Sequence, residues 1–286
     1  MKIIDFRVRP PYKSIGDSYL FGPNAGDYAL RFGEDIAESA KKESMDLLIK
    51  EMDELGVVKG VVPTRKLYGN DNHDLVTLME EYPGYFIGVP NIDPLEGQAA
   101  LDEIDELVVH GPCSGIIIEP GIYGMGIGGS IQLDKCWHED DPVAYPIYQK
   151  CQDNGIPVLI TCSVLAYPYA DANIPQYIDH IAADFPTLPI VVSHAAWPWV
   201  QSMCGIAVKR PNVYLSPDIY IVRTPGYRDY IDAANYMLQD QMLFGSAYPG
   251  MGMKNCIDFC KTCGLREEVL PKLMYENAAK LFKIED

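Results

Sequence analysis

With 286 residues, 48% of them hydrophobic, the chain is long enough for one large domain with a sizeable core. Its 40 acidic side chains against 23 basic ones give a formal charge of −17, a surface that repels nucleic acid and anionic membrane alike. No apolar run reaches the length of a membrane span, and the opening MKIIDFRVRP lacks the apolar stretch of a secretion signal.

Short runs rich in β-branched residues alternate along the chain with segments of helical period. The strand candidates are residues 3–8, 58–64, 85–92, 114–119, 156–162, 188–194, 212–217 and 241–246. Most follow a Gly or Pro turn, as in NGIPVLI and FPTLPIVV. Between them lie helical patterns such as SMDLLIKEMDELG, DLVTLMEEYP, VAYPIYQKCQDNG and IDAANYMLQD, many closing on Gly, Asn or Pro. Eight strands alternating with helices predict parallel βαβ units. The count favours a closed (β/α)₈ TIM barrel over a doubly wound open sheet, in one domain spanning 1–286. A long Pro/Gly/Tyr-containing loop, 10–35, is expected to shape a site at the barrel mouth.

Active sites of such barrels lie at the C-terminal ends of the strands. The last residues of each run are therefore the candidates: Arg7 and Arg9, Arg65, Asn91, Glu119, Thr161, His194, Asp218 with Tyr220, and Tyr248. Arg7 and Arg9 are two apart on one strand and so share a face. Inside a barrel they need anionic partners. Either Glu119 and Asp218 pair with them, or they form a fork for a substrate carboxylate or phosphate. His194 is the natural proton carrier. Asp218 can orient it or act as base, or it caps the turn that follows. Glu119 closes an apolar run, where burial and a nearby Arg pull its pKa in opposite directions. Tyr248 either donates to a developing oxyanion or packs.

Two other motifs carry less. Cys256, Cys260 and Cys263 have iron–sulfur spacing, but i, i+4, i+7 also marks one face of a helix. The eight cysteines as a whole suit small buried hydrophobes in a reducing compartment, and the cytoplasm is the expected location. Residues 124–129 contain G-x-G-x-x-G without the apolar helix a dinucleotide fold requires, and read as a loop after strand four. His73, His110, His138 and His180 show no ligand spacing.

The segments IDFRVR, SHAAWPWV, LFGSAYP and YENAAKLF, with DDPVAYPIYQKCQDNGIPV ahead of strand five, resemble the amidohydrolase 2 family over nearly the whole chain. That resemblance implies a TIM barrel and metal-dependent hydrolase or decarboxylase chemistry, or lactonase chemistry without metal. The departures are specific. The family's D-x-H-x-H is here Asp5-Phe-Arg7-Val-Arg9. Its strand-five histidine falls near Thr161 and Cys162, and its strand-eight aspartate at Ala247. Of the usual ligand set His194 remains. Guanidinium groups cannot ligate a metal, and one His falls short of the roughly three ligands of a catalytic zinc. The expectation is a hydrolase, metal-independent and lactonase-like, acting on a small anionic, carboxylated molecule without a cofactor. Its rivals are a decarboxylase or lyase, an inactive anion-binding barrel, and an atypical metal site of Glu119, His194 and Asp218. A homo-oligomer is compatible with all of these.

Overall fold

The computed structural model describes residues 1–17, 20–21, 25–121, 136–166, 169–170 and 174–285. The loop motif at 124–129 lies outside the described residues, as does part of the 10–35 loop. Among the described residues, seven parallel strands form two sheets. The first holds β1 (Ile3–Asp5), β2 (Val57–Pro63) and β3 (Phe86–Val89). The second holds β4 (Ile116–Ile118), β5 (Val158–Ser163), β6 (Ile190–Trp197) and β7 (Val213–Ser216). Single parallel bridges close the ring: Asn91 with Ile117 joins β3 to β4, while Leu215 with Met242 and Val8 with Tyr248 stitch residues 241–248 between β7 and β1. The expected barrel is therefore present, with its eighth strand reduced to isolated bridges. The reason lies in where that segment's amides go. Phe244 N–H donates to Leu273 O at 3.0 Å, and Ser246 N–H to the Asp5 carboxylate at 2.9 Å, rather than to a neighbouring strand.

The helices follow their sequence signals. Met45–Leu55 begins at Ser44, whose side chain accepts from Leu47 N–H, and ends at Gly56 in a left-handed conformation (φ 75°). Leu48 and Met52 face the core. Tyr145–Asn154 likewise stops at Gly155. One boundary differs from expectation. The helix read from IDAANYMLQD runs Tyr227–Asn235, because Asn235 turns its side chain to Gly264 O and Arg266 N–H and leaves Tyr236 and Met237 exposed. Cys256 and Cys260 are buried in the helix Met253–Thr262, as its one-face spacing implies.

Two apolar layers separate cleanly. Val62, Phe86, Ile116, Val158, Ile160, Ile190 and Val192 pack outward against the helices. Val61, Ile87, Val89, Ile117, Leu159, Val191 and Leu243 point inward, where Ala278, Ala279 and Leu281 of the helix Asn277–Leu281 pack with them. Parity then fixes the mouth. Two residues beyond the inward Val89, Ile117 and Leu159 come Asn91, Glu119 and Thr161. On β1 the alternation slips: Phe6 joins the inner layer and Val8 the outer, which turns Arg7 and Arg9 inward.

Outside the barrel wall a carboxyl group is sealed in. Glu139 is fully buried beside the Cys162 thiol, with no hydrogen-bond partner for either carboxyl oxygen among the described residues, and burial pushes it up to about 8. A carboxyl raised above its unfolded value of 4.5 adds stability that is complete below about pH 4.5 and is lost as the pH climbs towards 8. Glu139→Gln should therefore gain on the wild type between pH 5 and 8, by on the order of 1 kcal/mol per pH unit. Urea unfolding at pH 5, 6.5 and 8 measures this, and a constant difference across the three would rule it out.

Candidate active site

Arg7, Arg65, Glu119, His194 and Asp218 converge at the strand ends, each close enough for its charge to bear on the others. Backbone geometry marks the place as well. His194 (φ 68°), Asp218 (φ 54°) and Ala247 (φ 55°) all adopt the left-handed region that non-glycine residues avoid. Strain of this kind persists where surrounding structure enforces it and clusters at functional sites.

Asp218 is the hinge of the arrangement. Its Oδ2 lies 3.1 Å from His194 Nδ1 and 3.8 Å from Arg7 Nε, and its Oδ1 accepts a short bond from the Ser216 hydroxyl. Neither His194 Nδ1 nor Asp218 Oδ2 has another hydrogen-bond partner among the described residues. Burial alone would raise Asp218, but His194, Arg7 and Ser216 outweigh it and hold the carboxyl below its usual range. Burial and then the Arg7 charge push His194 down to about 4, so the imidazole is neutral around pH 7. Tyr220 stands edge-on to that ring at 5.3 Å and stacks on Trp197 at 5.0 Å, walling its side.

Arg65 and Glu119 form a second, closed unit. Arg65 Nε contacts both carboxylate oxygens at 2.9 and 2.8 Å, Nη2 reaches one at 2.6 Å, and Nη1 meets the Tyr68 hydroxyl at 2.9 Å. Thr161 Oγ1 donates to the same carboxylate at 3.0 Å. Burial opposes ionisation of Glu119, yet Arg65, Arg7 and Arg9 hold its pKa down. Glu119 and Thr161 thus spend their polar atoms on fixing Arg65. Asn91 is spent too: its amide bonds Ile117 O and Lys66 N–H, tying β3 to β4 and to the turn after β2. Tyr248 lies in the outer layer, its hydroxyl donating to Ser39, so the strand-end position does not bring it among the inward groups.

Arg7 and Arg9 are the unsettled pair. Both are buried (1% and 3% exposed), and among the described residues Arg7 Nε, Nη1 and Nη2 together with Arg9 Nε and Nη2 have no hydrogen-bond partner. Burial lowers both, Arg9 to about 9, still protonated at neutral pH. Three contributors were not singled out from sequence. Asp5 accepts from Arg7 N–H and Ser246 N–H and is raised by burial to about 7. Ser216 steadies Asp218. Gly245 makes room for it: a Cβ there would sit 2.4 Å from Asp218 Oδ1 and 3.2 Å from Ser216 Oγ. The one available signal for Asp5 was its place in the IDFRVR segment. Ser216 and Gly245 look like ordinary strand residues.

A divalent metal does not fit this donor set. Among the described residues no three His, Cys, Asp or Glu side chains converge as ligands. His194 and Asp218 are two, Glu119 is clamped by Arg65, and the Arg7 guanidinium faces Asp218 where a dication would lie against it.

Strand order, the inward parity of the mouth residues and the closing bridges define a TIM-barrel protein, with the candidate residues at its C-terminal face. The sequence pattern of the Amidohydrolase family matches residues 29–284, and the chain belongs to that family. An uncharacterized TIM-barrel protein from Bordetella bronchiseptica is 34% identical, with 99% of both chains covered and a TM-score of 0.86. A 2,6-dihydroxybenzoate decarboxylase from Rhizobium shares the fold at 16% identity, with all of both chains covered and a TM-score of 0.69. A candidate 2-pyrone-4,6-dicarboxylic acid hydrolase from Pseudomonas putida does so at 16%, covering 100% of this chain and 98% of its own, with a TM-score of 0.63. No functionally curated protein matches the sequence.

Gly245→Ala should push Asp218 off His194 and Arg7 and lower stability by about 1–3 kcal/mol, the usual cost of overpacking. Thermal unfolding with His194 ring NMR checks both; an unchanged imidazole signature would show that Asp218 is not held by this contact.

Proposed function

We propose that this chain is a hydrolase of small carboxylated lactones or esters that works without a metal ion. The observation that carries the reading is the pair of buried guanidinium groups lacking acceptors, Arg7 and Arg9, next to an imidazole held neutral and a carboxylate held ionised. The arginines offer a substrate carboxylate charge-assisted bonds in a site shielded from water. His194 accepts a proton from the attacking water as the new C–O bond forms. Asp218 stabilises the resulting imidazolium, as an acid orients a base in hydrolytic triads. Arg7 is placed to stabilise charge growing on the carbonyl oxygen. The acyl C–O bond then breaks, and His194 returns its proton to the leaving oxygen. An imidazole depressed to about 4 is a weak base. Because the cations of the mouth contribute to that depression, a substrate carboxylate docked at the arginines cancels part of their field and raises the basicity of His194.

In this reading Arg65, held by Glu119, Thr161 and Tyr68, sets the electrostatic wall of the pocket, and Tyr220 lines it.

A panel of carboxyl-bearing lactones and aryl esters, followed by ring opening in the ultraviolet and by CO₂ release, tests the assignment. Hydrolysis that survives EDTA and falls by about 10²–10⁴-fold in His194→Gln and Asp218→Asn is expected. Activity abolished by EDTA and restored by zinc, or CO₂ as the product, would overturn it.

A further inference from the structure

Although they stand two residues apart on one strand end, Arg7 and Arg9 meet different surroundings. Arg7 Nε faces Asp218 Oδ2 at 3.8 Å. Arg65 commits Nε and Nη2 to Glu119 and Nη1 to Tyr68. No carboxylate of the described residues lies within ion-pair distance of Arg9, whose Nε and Nη2 are buried and unpartnered. The charges within reach are three guanidinium groups and two carboxylates, Glu119 and Asp218, both held ionised. His194 is neutral, and Asp5, raised to about 7, is only partly ionised at neutral pH. Between half and one positive charge is left over, and among the described residues Arg9 is the group without an internal counter-ion.

We propose that Arg9 is the fork that binds the ligand's carboxylate, and that the site is matched to a ligand carrying a single negative charge. Arg7 then remains with Asp218 and His194 at the reacting end. This rests on the reading of the mouth as a carboxylate site and goes further by dividing the two arginines and fixing the ligand's charge. A second carboxylate on the ligand would find Arg65 already occupied by Glu119. Next to Arg7 it would lie against the ionised Asp218, where like charges in a poorly solvated site repel strongly.

The test uses the full chain and three probes of one shape: benzoate, benzene-1,3-dicarboxylate and benzamide, titrated by calorimetry. Wild type should bind benzoate at least about tenfold more tightly than benzamide, as a charge-assisted bond provides. It should bind the dicarboxylate no more tightly than benzoate. In Arg9→Met the preference of benzoate over benzamide should vanish. Arg9→Lys, which keeps the charge and loses the fork, should shrink it several-fold, and gives the answer if the Met variant does not fold. A wild type that prefers the dicarboxylate by about tenfold or more, or folded Arg9 variants that keep the full benzoate preference, would overturn the proposal while leaving the carboxylate site standing. A wild type that does not distinguish benzoate from benzamide would overturn the carboxylate site itself.

Discussion

A guanidinium group taken out of water and left without acceptors is among the costliest things a protein interior can hold. Arg7 is one such group, with three nitrogens unpaired at 1% exposure. Its charge reaches every other member of the mouth. It helps keep Asp218 ionised against burial, it depresses His194, and it adds to the cation field that holds Glu119 down. Arg65, also cationic, is tolerated in the same space because Glu119 and Tyr68 take up its fork. Most of the surrounding structure can be read as the means of keeping these charges in place.

Those means are mainly backbone devices. Asp5 ties Arg7 N–H to Ser246 N–H, so that the strand bearing the arginines is anchored across the seam of the barrel by a side chain. The same bond removes an amide from the eighth strand's ladder, which explains why that strand is present only as bridges. Gly245 lets the Asp218 carboxylate lie against the neighbouring backbone. The seam is thus weak in hydrogen bonds where it is strong in electrostatic positioning, an exchange between sheet regularity and function that barrels make at their active faces.

Much of this was legible in the sequence, and the remainder has definite physical causes. Period-two and period-3.6 patterns locate the seven strands and the bridged eighth segment, because burial of one face imposes them. Of the candidates at the strand ends, Arg7, Arg65, Glu119, His194 and Asp218 are brought together. What spacing cannot reveal is which charge pairs with which. That Arg65, rather than Arg7 or Arg9, takes Glu119 depends on side-chain reach across three strands. Tyr248 follows its strand's parity outward to Ser39, and the slip of parity at Phe6 that turns Arg7 inward has no composition signal. Glu139, in a run of charged residues, looks solvent-facing in sequence and is sealed behind β5.

The C-terminal segment gives the barrel a closed base. Phe282 stacks on Phe6 at 5.4 Å and approaches Gly115 at the start of β4, while Ala278, Ala279 and Leu281 pack among the inward residues. Hydrocarbon therefore seals the N-terminal end of the barrel, and water has no polar path to the arginines from that side.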